Sequence, residues 1–523
     1  MKILICSKYL TFPVNTNTVA KKVIMMDGDE VVFDFDCKID MLSPNFTAYI
    51  DVTRFYGQTL EILTEPAINF NIGITDEMNL IGLYEEELRP KVHFTVKNGW
   101  NNDPNGLIYK DGIFHMFYQY NPCATEWERG SIHWGHATST DLVHWEEKDI
   151  ALYPNEFGSM YSGSAIEDTR NVTGLKDGDS NPMLLYYTAC GDSTLLSSNK
   201  MNTICLAYSI DGGITFKDYC KNPLIHTITP ENRDPKVVWV EDIQQYILVI
   251  YLEEDEYAMF SSQNLLDWQH YQNIKIHGDS ECPDIYCINC EGERKWVFLG
   301  ASNVYLVGNF TNDGFICESE ECKFTYSNVM YAAQCFSGIE NRVVRISWER
   351  LGIPGIRFSE QMSIPTEMRL EKINEKYYLS ALPVKEIENL YISEKNENNF
   401  WLDTERTVNI GIGAVDIHLV LDYVTDSVIK LNIYGAELKI NTDTNSISYR
   451  NNKMPISVLK KSVDIRVIVD RCSVEVFADD GKFNMAVKHI SDYNLPYINL
   501  SANLPIKVQE FSCREMCSAF VKN

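Results

Sequence analysis

The apolar residues of this chain recur mostly in short alternating segments that are bounded by Gly, Asn, Asp and Pro. Alternation of apolar and polar residues is typical of half-buried β-strands, and helical periodicity is scarce, so the pattern predicts an all-β protein. Within residues 1–85 the segments "VVFDFDCKI", "FTAYIDV" and "TLEILTE" predict a small N-terminal β-sandwich. The stretch "GLYEEELRPKVHF" then reads as a linker to a second domain.

An imperfect internal repeat follows between about residues 91 and 375. "HWGHATSTDLVHWEE", "ICLAYSIDGGITFKD" and "YAMFSSQNLLDWQHY" share an apolar strand, a Ser, a polar turn and an aromatic residue, and "VYLVGNFTNDGF" is a weaker fourth copy. We align the shared Ser at positions 139, 209 and 261. Repeats of this length with four strands each are typical of propeller blades. The alternative is a β-sandwich with chance similarity between the segments.

The last third of the chain alternates again. In "DIRVIVDRCSVEVFADDGKFNMAV" the triplet Asp479-Asp480-Gly481 lies between two alternating segments, which predicts a hairpin in a second sandwich. The expected organisation is a β-sandwich-like domain over 1–85, a propeller over 86–375 and a C-terminal β-sandwich over 376–523.

Charge and composition limit the ligands. The chain has 523 residues and a formal net charge of −27, which disfavours nucleic acid and anionic membranes as partners. A neutral or cationic small molecule is the expected substrate. The first residues lack the long apolar run of a signal peptide, and the 15 Cys are an odd, scattered set. Together these features predict a reducing cytoplasm and free thiols.

Metal and cofactor motifs are weak. Cys287 and Cys290 form a C-x-x-C but lack a matched second pair, so a structural zinc site is the minority interpretation. His133 and His136 would face opposite sides of a strand and could not easily share a metal ion. We find no organic cofactor motif, and we expect neither a cofactor nor a metal.

Three acidic residues lie within two residues of a Pro and close to an apolar strand: Asp103 in "NNDPNG", Asp234 in "NRDPKVVW" and Glu281 in "DSECPDIY". The two Asp-Pro pairs read as turns that hold an acid, because Pro fixes φ and Gly106 suits the end of a turn. Paired carboxylates suit glycosidic chemistry, in which one attacks and the other donates a proton. The alternative is that all three are solvated turn acids.

Seven motifs decide between these alternatives. In order, "RPKVHFTVKNGWNNDPNGLIYKDGIFHMFYQYNP", "HWGHATSTDLVHWEE", "MYSGSA", "NRDPKV", "ECPDIY", "YAAQCF" and "DRCSVEVFADDG" resemble the motifs of glycoside hydrolase family 32, the invertases, inulinases and levanases. The resemblance covers roughly residues 85–520 and implies a five-bladed β-propeller followed by a β-sandwich. Residues 1–85 resemble a small N-terminal β-domain of some fructan exo-hydrolases.

The resemblance implies a role for each acid. Asp103 matches the nucleophile, Glu281 the general acid and base, and Asp234 the residue that holds the sugar hydroxyls and stabilises the transition state, with Arg233 alongside. The implied mechanism is retaining, which predicts carboxyl groups of Asp103 and Glu281 about 5–5.5 Å apart.

Further positions match the family's fructose pocket, and Trp100 is expected to form a wall of it. The spacing before "HWGHA" is two residues longer than usual in the family, so the matching pocket residue is either Trp127 or Arg129. Ser280 stands where the family often has Trp. The expected substrate contacts are Asn102, Gln119, Trp127, Tyr161, Ser162, Arg233 and Trp348.

The resulting expectation is an exo-acting, retaining β-fructosidase that acts on sucrose, fructo-oligosaccharides or fructans. A fructosyltransferase and an endo-fructanase on the same scaffold are alternatives. A non-catalytic sugar-binding propeller is disfavoured because all three acids are present, and an inverting arabinosidase or xylosidase would not carry "NDPNG" and "ECPD". We expect the N-terminal domain to have a structural or assembly role. A homo-oligomer formed through the accessory β-domains would be one form of assembly.

Overall fold

The structure is a computed structural model that describes residues 1–127, 130–327, 329–353, 357–457 and 461–520. These residues form 42 β-strands and only two short 3-10 helices, η1 (Thr53–Phe55) and η2 (Lys385–Leu390). The prediction of an all-β protein is therefore confirmed. No helix in the described ranges has the length and apolar character needed to cross a membrane.

The N-terminal domain consists of two packed sheets, with strand orders β1-β6-β3-β4 and β5-β2-β7. Alternate residues of the facing strands fill its core, which includes Phe12, Phe33 and Phe35. Strand β4 lies at the edge of its sheet, which leaves one side of its backbone available for other partners. The strands are β1 (Lys2–Leu4), β2 (Tyr9–Val14), β3 (Lys21–Asp27), β4 (Glu30–Cys37), β5 (Phe46–Asp51), β6 (Thr59–Glu65) and β7 (Gly73–Thr75).

The next part of the described chain forms five antiparallel sheets, and the first three follow the chain order closely. Sheet one has the order β11-β10-β9-β8, with β27 added in parallel to β8; sheet two is β12-β13-β14-β15 and sheet three is β16-β17-β18-β19. The strands are β8 (Gly99–Lys110), β9 (Ile113–Asn121), β10 (His133–Ser139), β11 (Glu146–Glu147), β12 (Ser159–Glu167), β13 (Met183–Cys190), β14 (Thr203–Ser209), β15 (Lys217–Asp218), β16 (Arg233–Val240), β17 (Gln245–Glu253), β18 (Glu256–Ser262), β19 (Gln269–Lys275) and β27 (Phe358–Ser359).

Sheets four and five complete this part of the molecule. Sheet four has the order β20-β21-β22-β23, with β24 on β22, and sheet five has the order β25-β26-β29-β30, with β28 on β26. The strands are β20 (Asp284–Cys290), β21 (Glu293–Leu299), β22 (Val304–Thr311), β23 (Gly314–Cys317), β24 (Cys322–Lys323), β25 (Met330–Cys335), β26 (Val343–Glu349), β28 (Gln361–Met362), β29 (Thr366–Ile373) and β30 (Lys376–Pro383). The last strand of sheet five thus lies beyond residue 375, where the domain boundary was predicted.

The first strands of the five sheets form a closed ring. Strand β8 contacts β12, β12 contacts β16, β16 contacts β20, β20 contacts β25, and β25 contacts β8 again. This is the arrangement of a β-propeller, in which each sheet is a blade and the first strands surround a central channel. Groups at one end of these five strands therefore come together although they are far apart in the sequence.

The repeat is real, but one of its positions was misaligned. At the end of the third strand, Ser139 Oγ contacts Asp141, Ser209 Oγ contacts Asp211, and the matching contact to Asn264 comes from Ser262 rather than Ser261. Each hydroxyl also accepts a backbone N–H of the following turn. The two adjacent serines made the sequence alignment ambiguous, and only the partner two residues later identifies the equivalent one.

The predicted turn at Asp103 is wrong. Residues 99–110 are one strand, and two β-bulges shift its register against β9, between Asn101 and Pro104 and between Asn105 and Ile108. Gly106 has φ +52°, and a Cβ there would lie 2.8 Å from a ring carbon of Phe117, so only Gly fits the second bulge. The Asn, Asp, Pro and Gly that suggested a turn instead permit an irregular strand on the channel.

The C-terminal part of the chain forms a sandwich of two six-stranded sheets, with orders β31-β42-β33-β38-β39-β40 and β32-β41-β34-β35-β36-β37. The predicted hairpin at Asp479-Asp480-Gly481 is confirmed, because it joins β39 to β40. The strands are β31 (Tyr391–Leu402), β32 (Arg406–Asn409), β33 (Ala414–Asp422), β34 (Val428–Ile433), β35 (Ala436–Asn441), β36 (Ser446–Tyr449), β37 (Asn452–Pro455), β38 (Ser462–Val469), β39 (Ser473–Ala478), β40 (Phe483–Lys488), β41 (Tyr497–Ala502) and β42 (Ile506–Met516).

Candidate active site

A cavity of about 510 Å³ opens at one end of the propeller channel. Its walls come from the first and second strands of the blades and from the loops beside them. All three predicted acids lie in it. The lining residues are Trp100, Asn102, Asp103, Gln119, Trp127, Tyr161, Cys190, Asn202, Pro230, Glu231, Arg233, Asp234, Glu281, Cys282, Tyr331 and Trp348.

Bulges in the first strands place several of these side chains. Besides β8, the register shifts between Tyr161 and Gly163 in β12, between Arg233 and Lys236 in β16, and between Tyr331 and Gln334 in β25. A bulge locally bends and twists a strand and changes the direction of a side chain. In four of the five blades, therefore, the first strand has a β-bulge where it reaches the cavity.

Asp103 is almost fully buried, and two neighbours hold its carboxylate. Ser162 Oγ donates a hydrogen bond of 2.6 Å to Asp103 Oδ2, and Gln119 Nε2 lies 3.2 Å from the same oxygen. Gln119 Oε1 accepts from the amide of Asn102 at 3.0 Å. Asn102 and Gln119 line the cavity, whereas Ser162 does not, and the predicted contacts of all three with substrate stay predictions.

Asp234 and Glu281 both have left-handed backbone conformations, with φ +64° and +56°, and Cys282 follows at φ +32°. Such conformations are rare for residues with a Cβ and are concentrated at functional sites. The backbone N–H of Asp234 donates to Thr188 Oγ1 at 2.7 Å, which helps to hold this conformation. The strain is consistent with two carboxylates that are directed into the cavity.

Cys282 lies between the carboxylates of Asp103 and Asp234. Its Sγ is 3.5 Å from Asp103 Oδ2 and 3.5 Å from Asp234 Oδ2, and its backbone N–H donates to Asp234 Oδ2 at 2.9 Å. Burial, followed by the two carboxylates, raises the pKa of the Cys282 thiol well above its usual value. The thiol therefore stays protonated and acts as a hydrogen-bond donor.

Two side chains hold the carboxylate of Glu281. Arg233 Nη2 donates to Glu281 Oε1 at 2.6 Å, and the hydroxyl of Tyr331 donates to Oε2. Arg233 also lies 3.7 Å from Asp234 Oδ2 and packs over the ring of Tyr251. Arg233 therefore links two of the three acids, and its predicted contact with substrate stays a prediction.

Aromatic side chains form the walls and the rim. The buried Trp100 ring meets the Trp348 ring edge to face at 5.8 Å, and Trp348 Nε1 donates to Glu360 Oε2 at 3.3 Å. At the rim the Trp127 ring lies 6.4 Å from that of Tyr161. Trp127 lines the cavity and is half exposed, while the alternative, Arg129, lies outside the described residues.

Burial dominates the electrostatics of the site. It raises the pKa of Asp103 to about 7, together with repulsion from Asp234 and Glu281, although the hydrogen bond from Ser162 lowers it. Burial likewise raises the pKa of Asp234 to about 6, opposed by the charge of Arg233. Perturbed carboxyl groups that share one cleft are typical of an acid–base catalytic site.

One cluster among the described residues has the spacing of metal ligands: His93, Glu349 and Glu475. Both ring nitrogens of His93 are already occupied, since Nδ1 lies 2.9 Å from Asp470 Oδ2 and Nε2 lies 3.0 Å from Glu475 Oε1. The cluster joins the start of the propeller to the C-terminal sandwich, and we interpret it as a buried charge network between these domains.

The cysteine and histidine pairs noted in the sequence do not converge on a shared group. Cys287 and Cys290 both lie in β20. His136 Nε2 contacts His115 Nδ1 at 3.0 Å, whereas His133 Nδ1 contacts the backbone of Ser131, so the two histidines have separate partners.

Sequence reasoning missed several groups of the site. Cys282 directly follows Glu281, and Tyr331 lies in the motif "YAAQCF", so both stood next to recognised positions without receiving a role. Glu231 directly precedes the motif "NRDPKV" and also received no role, whereas Asn202 comes from a loop without any motif, and the sequence carried no signal for it.

Comparison with known proteins agrees with this geometry. The model for the glycosyl hydrolases family 32 N-terminal domain matches residues 93–381, and the model for the family's C-terminal domain matches residues 423–487. The first match alone covers more than half of the chain. The chain belongs to glycosyl hydrolases family 32. The predicted family is therefore confirmed, and with it the class of enzyme, a glycoside hydrolase.

Individual relatives in family 32 span different shares of this chain. A levanase of Bacillus subtilis is 31% identical over 458 residues, which are 76% of this chain and 66% of the levanase. An invertase of Debaryomyces hansenii is 30% identical over 451 residues, 78% of each chain. An invertase of Schizosaccharomyces pombe is 34% identical over 298 residues, 51% of this chain and 49% of that protein.

Solved structures of family 32 share the fold. A fructofuranosidase of Schwanniomyces occidentalis, complexed with fructosylnystose, is 25% identical with a TM-score of 0.75 and covers 84% of this chain and 100% of its own. The exo-inulinase of Aspergillus awamori is 24% identical with a TM-score of 0.73, and it covers 83% of this chain and 99% of its own. The propeller-plus-sandwich fold class is thus confirmed.

Proposed function

We propose that this family 32 enzyme is a retaining, exo-acting β-fructosidase that hydrolyses terminal β-D-fructofuranosyl residues of sucrose, fructo-oligosaccharides or fructans. One observation carries the proposal: the carboxyl groups of Asp103, Asp234 and Glu281 meet in one cavity, joined by Cys282 and Arg233. Most glycoside hydrolases break the glycosidic bond with two carboxyl groups that flank it.

In the first step, a carboxylate oxygen of Asp103 forms a bond to the anomeric carbon of the fructosyl unit. The bond from that carbon to the leaving oxygen breaks, and Glu281 gives this oxygen a proton. In the second step, Glu281 takes a proton from water, the water oxygen bonds to the anomeric carbon, and Asp103 is released. The hydrogen bonds from Ser162 and Gln119 orient Asp103 for the first step.

The charge of the site supports this chemistry. Positive charge develops on the fructose ring as the bond to the leaving group breaks, and the buried carboxylate of Asp234 would stabilise it. Asp234 is held by the thiol and backbone N–H of Cys282, so its position does not depend on the substrate. Arg233 balances part of the negative charge, which limits repulsion among the three acids.

The shape of the cavity favours an exo mode. Its base is closed by buried side chains such as Trp100, Asn102 and Gln119, while Trp127 at the rim is half exposed. A terminal sugar can therefore enter the base, with the remainder of the substrate toward the solvent. The names of the relatives, levanase, invertase and exo-inulinase, support a fructosyl substrate.

The test is product analysis over time with sucrose, kestose, inulin and levan. Free fructose as the dominant early product supports the proposal. Longer fructans would indicate a fructosyltransferase, and discrete oligosaccharides from inulin or levan would indicate an endo-fructanase. Asp103→Ala and Glu281→Ala are the catalytic controls, and near-normal turnover by Asp103→Ala would show that the nucleophile has been assigned wrongly.

We also propose a cytoplasmic location, where substrates small enough for import would be favoured over polymers. The support is that Cys6, Cys220 and Cys317 are exposed thiols, which persist in a reducing compartment. Fractionation of cells of the source organism tests this, and activity found outside the cytoplasmic fraction would contradict it.

A further inference from the structure

The edge strand of the N-terminal domain packs against the loop that carries Trp127. Ser131 Oγ accepts the backbone N–H of Asp36 at 3.0 Å and donates to the carbonyl oxygen of Asp36 at 3.3 Å, so it pairs with both backbone groups of this residue in the edge strand β4. Cys123, at the start of the same loop, is part of the hydrophobic core of the N-terminal domain. The loop between β9 and β10 is thus built into both domains.

A second propeller loop is held by the same strand. Asp34 Oδ1 accepts the backbone N–H of Leu195 at 2.9 Å, and its side chain is fully buried. Lys22 pairs with Asp34 at 3.4 Å and with Asp36 at 3.2 Å, which compensates the buried charge. Leu195 lies in the loop between β13 and β14, which leads to Asn202.

Both loops meet at Gly130. A Cβ at this position would lie 2.8 Å from the carbonyl oxygen of Ser193 and 3.2 Å from a carboxylate oxygen of Asp36. The two loops and β4 are therefore in close contact at one point, with no room for a side chain. The rigid edge of the N-terminal sandwich can fix the relative positions of both loops.

These loops form an exposed part of the rim, whereas the carboxylates lie buried in the cavity. Trp127 is 48% exposed, whereas Asp103 and Asp234 are 8% and 4% exposed. The side-chain amide of Asn202 donates to the carbonyl oxygen of Pro230 at 3.4 Å, which continues the rim toward Glu231 and Arg233. The rim therefore faces whatever is attached to the sugar at the base of the cavity.

We infer that the N-terminal domain determines which leaving group the enzyme accepts, and that Asp34 is the positioning residue. The inference rests on the proposed function and deepens it, because it concerns the same cavity. Asp34 touches neither substrate nor reacting atoms. It acts through the Leu195 loop and, across Gly130, through the loop of Trp127, which together recognise the sugar beyond the scissile bond.

The experiment compares two donors in the full-length protein. Nystose places a trisaccharide leaving group against the rim, whereas β-D-fructofuranosyl fluoride has a leaving group too small to reach it. For Asp34→Ala we expect KM for nystose to rise about tenfold, equivalent to one moderate binding contact, with kcat changed less than about twofold. We expect both constants for the fluoride to remain at the wild-type value.

Three further variants complete the test. Asp34→Asn keeps an oxygen that can accept the Leu195 N–H, so it should retain most of the nystose affinity. Ser131→Ala breaks the anchor of the other loop and should raise KM for nystose in the same way. Asp40→Ala is the matched control, because Asp40 also accepts backbone N–H groups, those of Leu42 and Ser43, but only within the N-terminal domain.

The inference would be overturned if Asp34→Ala and Ser131→Ala left KM for nystose unchanged, or if they impaired both donors equally. An equal loss in Asp40→Ala would overturn it as well, because the effect would then come from general destabilisation of the domain. These outcomes differ from a failure of the proposed function, in which the wild-type protein would release fructose from neither donor.

Discussion

The hydroxyl of Ser162 lies 2.6 Å from Oδ2 of Asp103 and donates a hydrogen bond to it. This bond favours the ionised form of the carboxyl group that attacks the sugar, in a site where burial favours the neutral form. The two groups come from neighbouring blades, β8 and β12, so the packing of the propeller itself tunes the nucleophile.

The first prediction concerns the pH profile. Asp103 must be ionised to attack, and because its pKa is raised to about 7 and that of Asp234 to about 6, kcat/KM should fall as the pH decreases through this range. Ser162→Ala removes a bond that lowers the pKa of Asp103, so this acidic limb should move to higher pH. The measurement is kcat/KM for sucrose against pH.

Ser164→Ala is the control for this prediction. Ser164 is also buried in β12, but its hydroxyl accepts the backbone N–H of Val237 and does not contact Asp103. The acidic limb of the kcat/KM profile of Ser164→Ala should therefore coincide with that of the wild type. A limb in Ser162→Ala that stays in place or moves to lower pH would contradict the account.

The second prediction concerns Tyr331, whose hydroxyl donates to Glu281 Oε2. Tyr331→Phe removes a hydrogen bond to a charged group and should lower kcat for sucrose about ten- to hundredfold. If the loss acts through proton donation by Glu281, it should be smaller for β-D-fructofuranosyl fluoride, whose leaving group needs no proton. Steady-state kinetics with both donors give the comparison.

Tyr251→Phe is a suitable control for Tyr331→Phe, because the Tyr251 ring packs against Arg233 while its hydroxyl points to the carbonyl oxygen of Glu254. It should change kcat for sucrose by less than about twofold. Equal losses of Tyr331→Phe on sucrose and on the fluoride would argue that Tyr331 has no role in proton transfer.

The third prediction concerns stability rather than catalysis. Burial lowers the pKa of His93, but hydrogen bonds to Asp470 and Glu475 outweigh it and raise this pKa to about 10. A His whose folded pKa exceeds its unfolded value of about 6.5 stabilises the protein fully below that value. This stabilisation is lost as the pH rises from about 6.5 through 10, so Tm should fall over this range.

His93→Gln should remove this pH-dependent part and lower Tm at pH 7 by roughly 5–10 °C, because Asp470 and Glu475 would stay buried without their cation. The comparison is Tm by scanning calorimetry for the variant and the wild type between pH 6 and 10. His277→Gln, at an exposed His, is the control. Parallel Tm curves for His93→Gln and the wild type would contradict the interpretation of a charged network.

The sequence predicted the site best where an acidic residue stands close to a recognisable strand. Asp103, Asp234 and Glu281 were found because each lies within two residues of a Pro and close to an apolar strand, and the propeller brings such positions together. The local backbone conformation was harder to predict from the sequence. The "NNDPNG" segment has turn composition, and whether its irregularity becomes a turn or a pair of bulges depends on pairing with β9, which no short segment specifies.

The rim of the site was the least predictable part. The contacts of Asp34 with Leu195 and of Asp36 with Ser131 join residues 161 and 95 positions apart. Each partner is an ordinary polar residue, and only the docking of the two domains gives it a role. The N-terminal domain was expected to have a structural or assembly role, and the contact of its edge strand with the rim was not foreseen.

The central claim is that Asp103 forms a covalent bond to the fructosyl unit. Its most direct test is peptide mass spectrometry of Glu281→Ala after a rapid acid quench from β-D-fructofuranosyl fluoride. This donor needs no proton to react, and the variant cannot activate water, so the intermediate should accumulate. The account predicts one fructosyl group on the peptide that contains Asp103. Catalytic release of fluoride without any adduct, or an adduct on another acid, would contradict it.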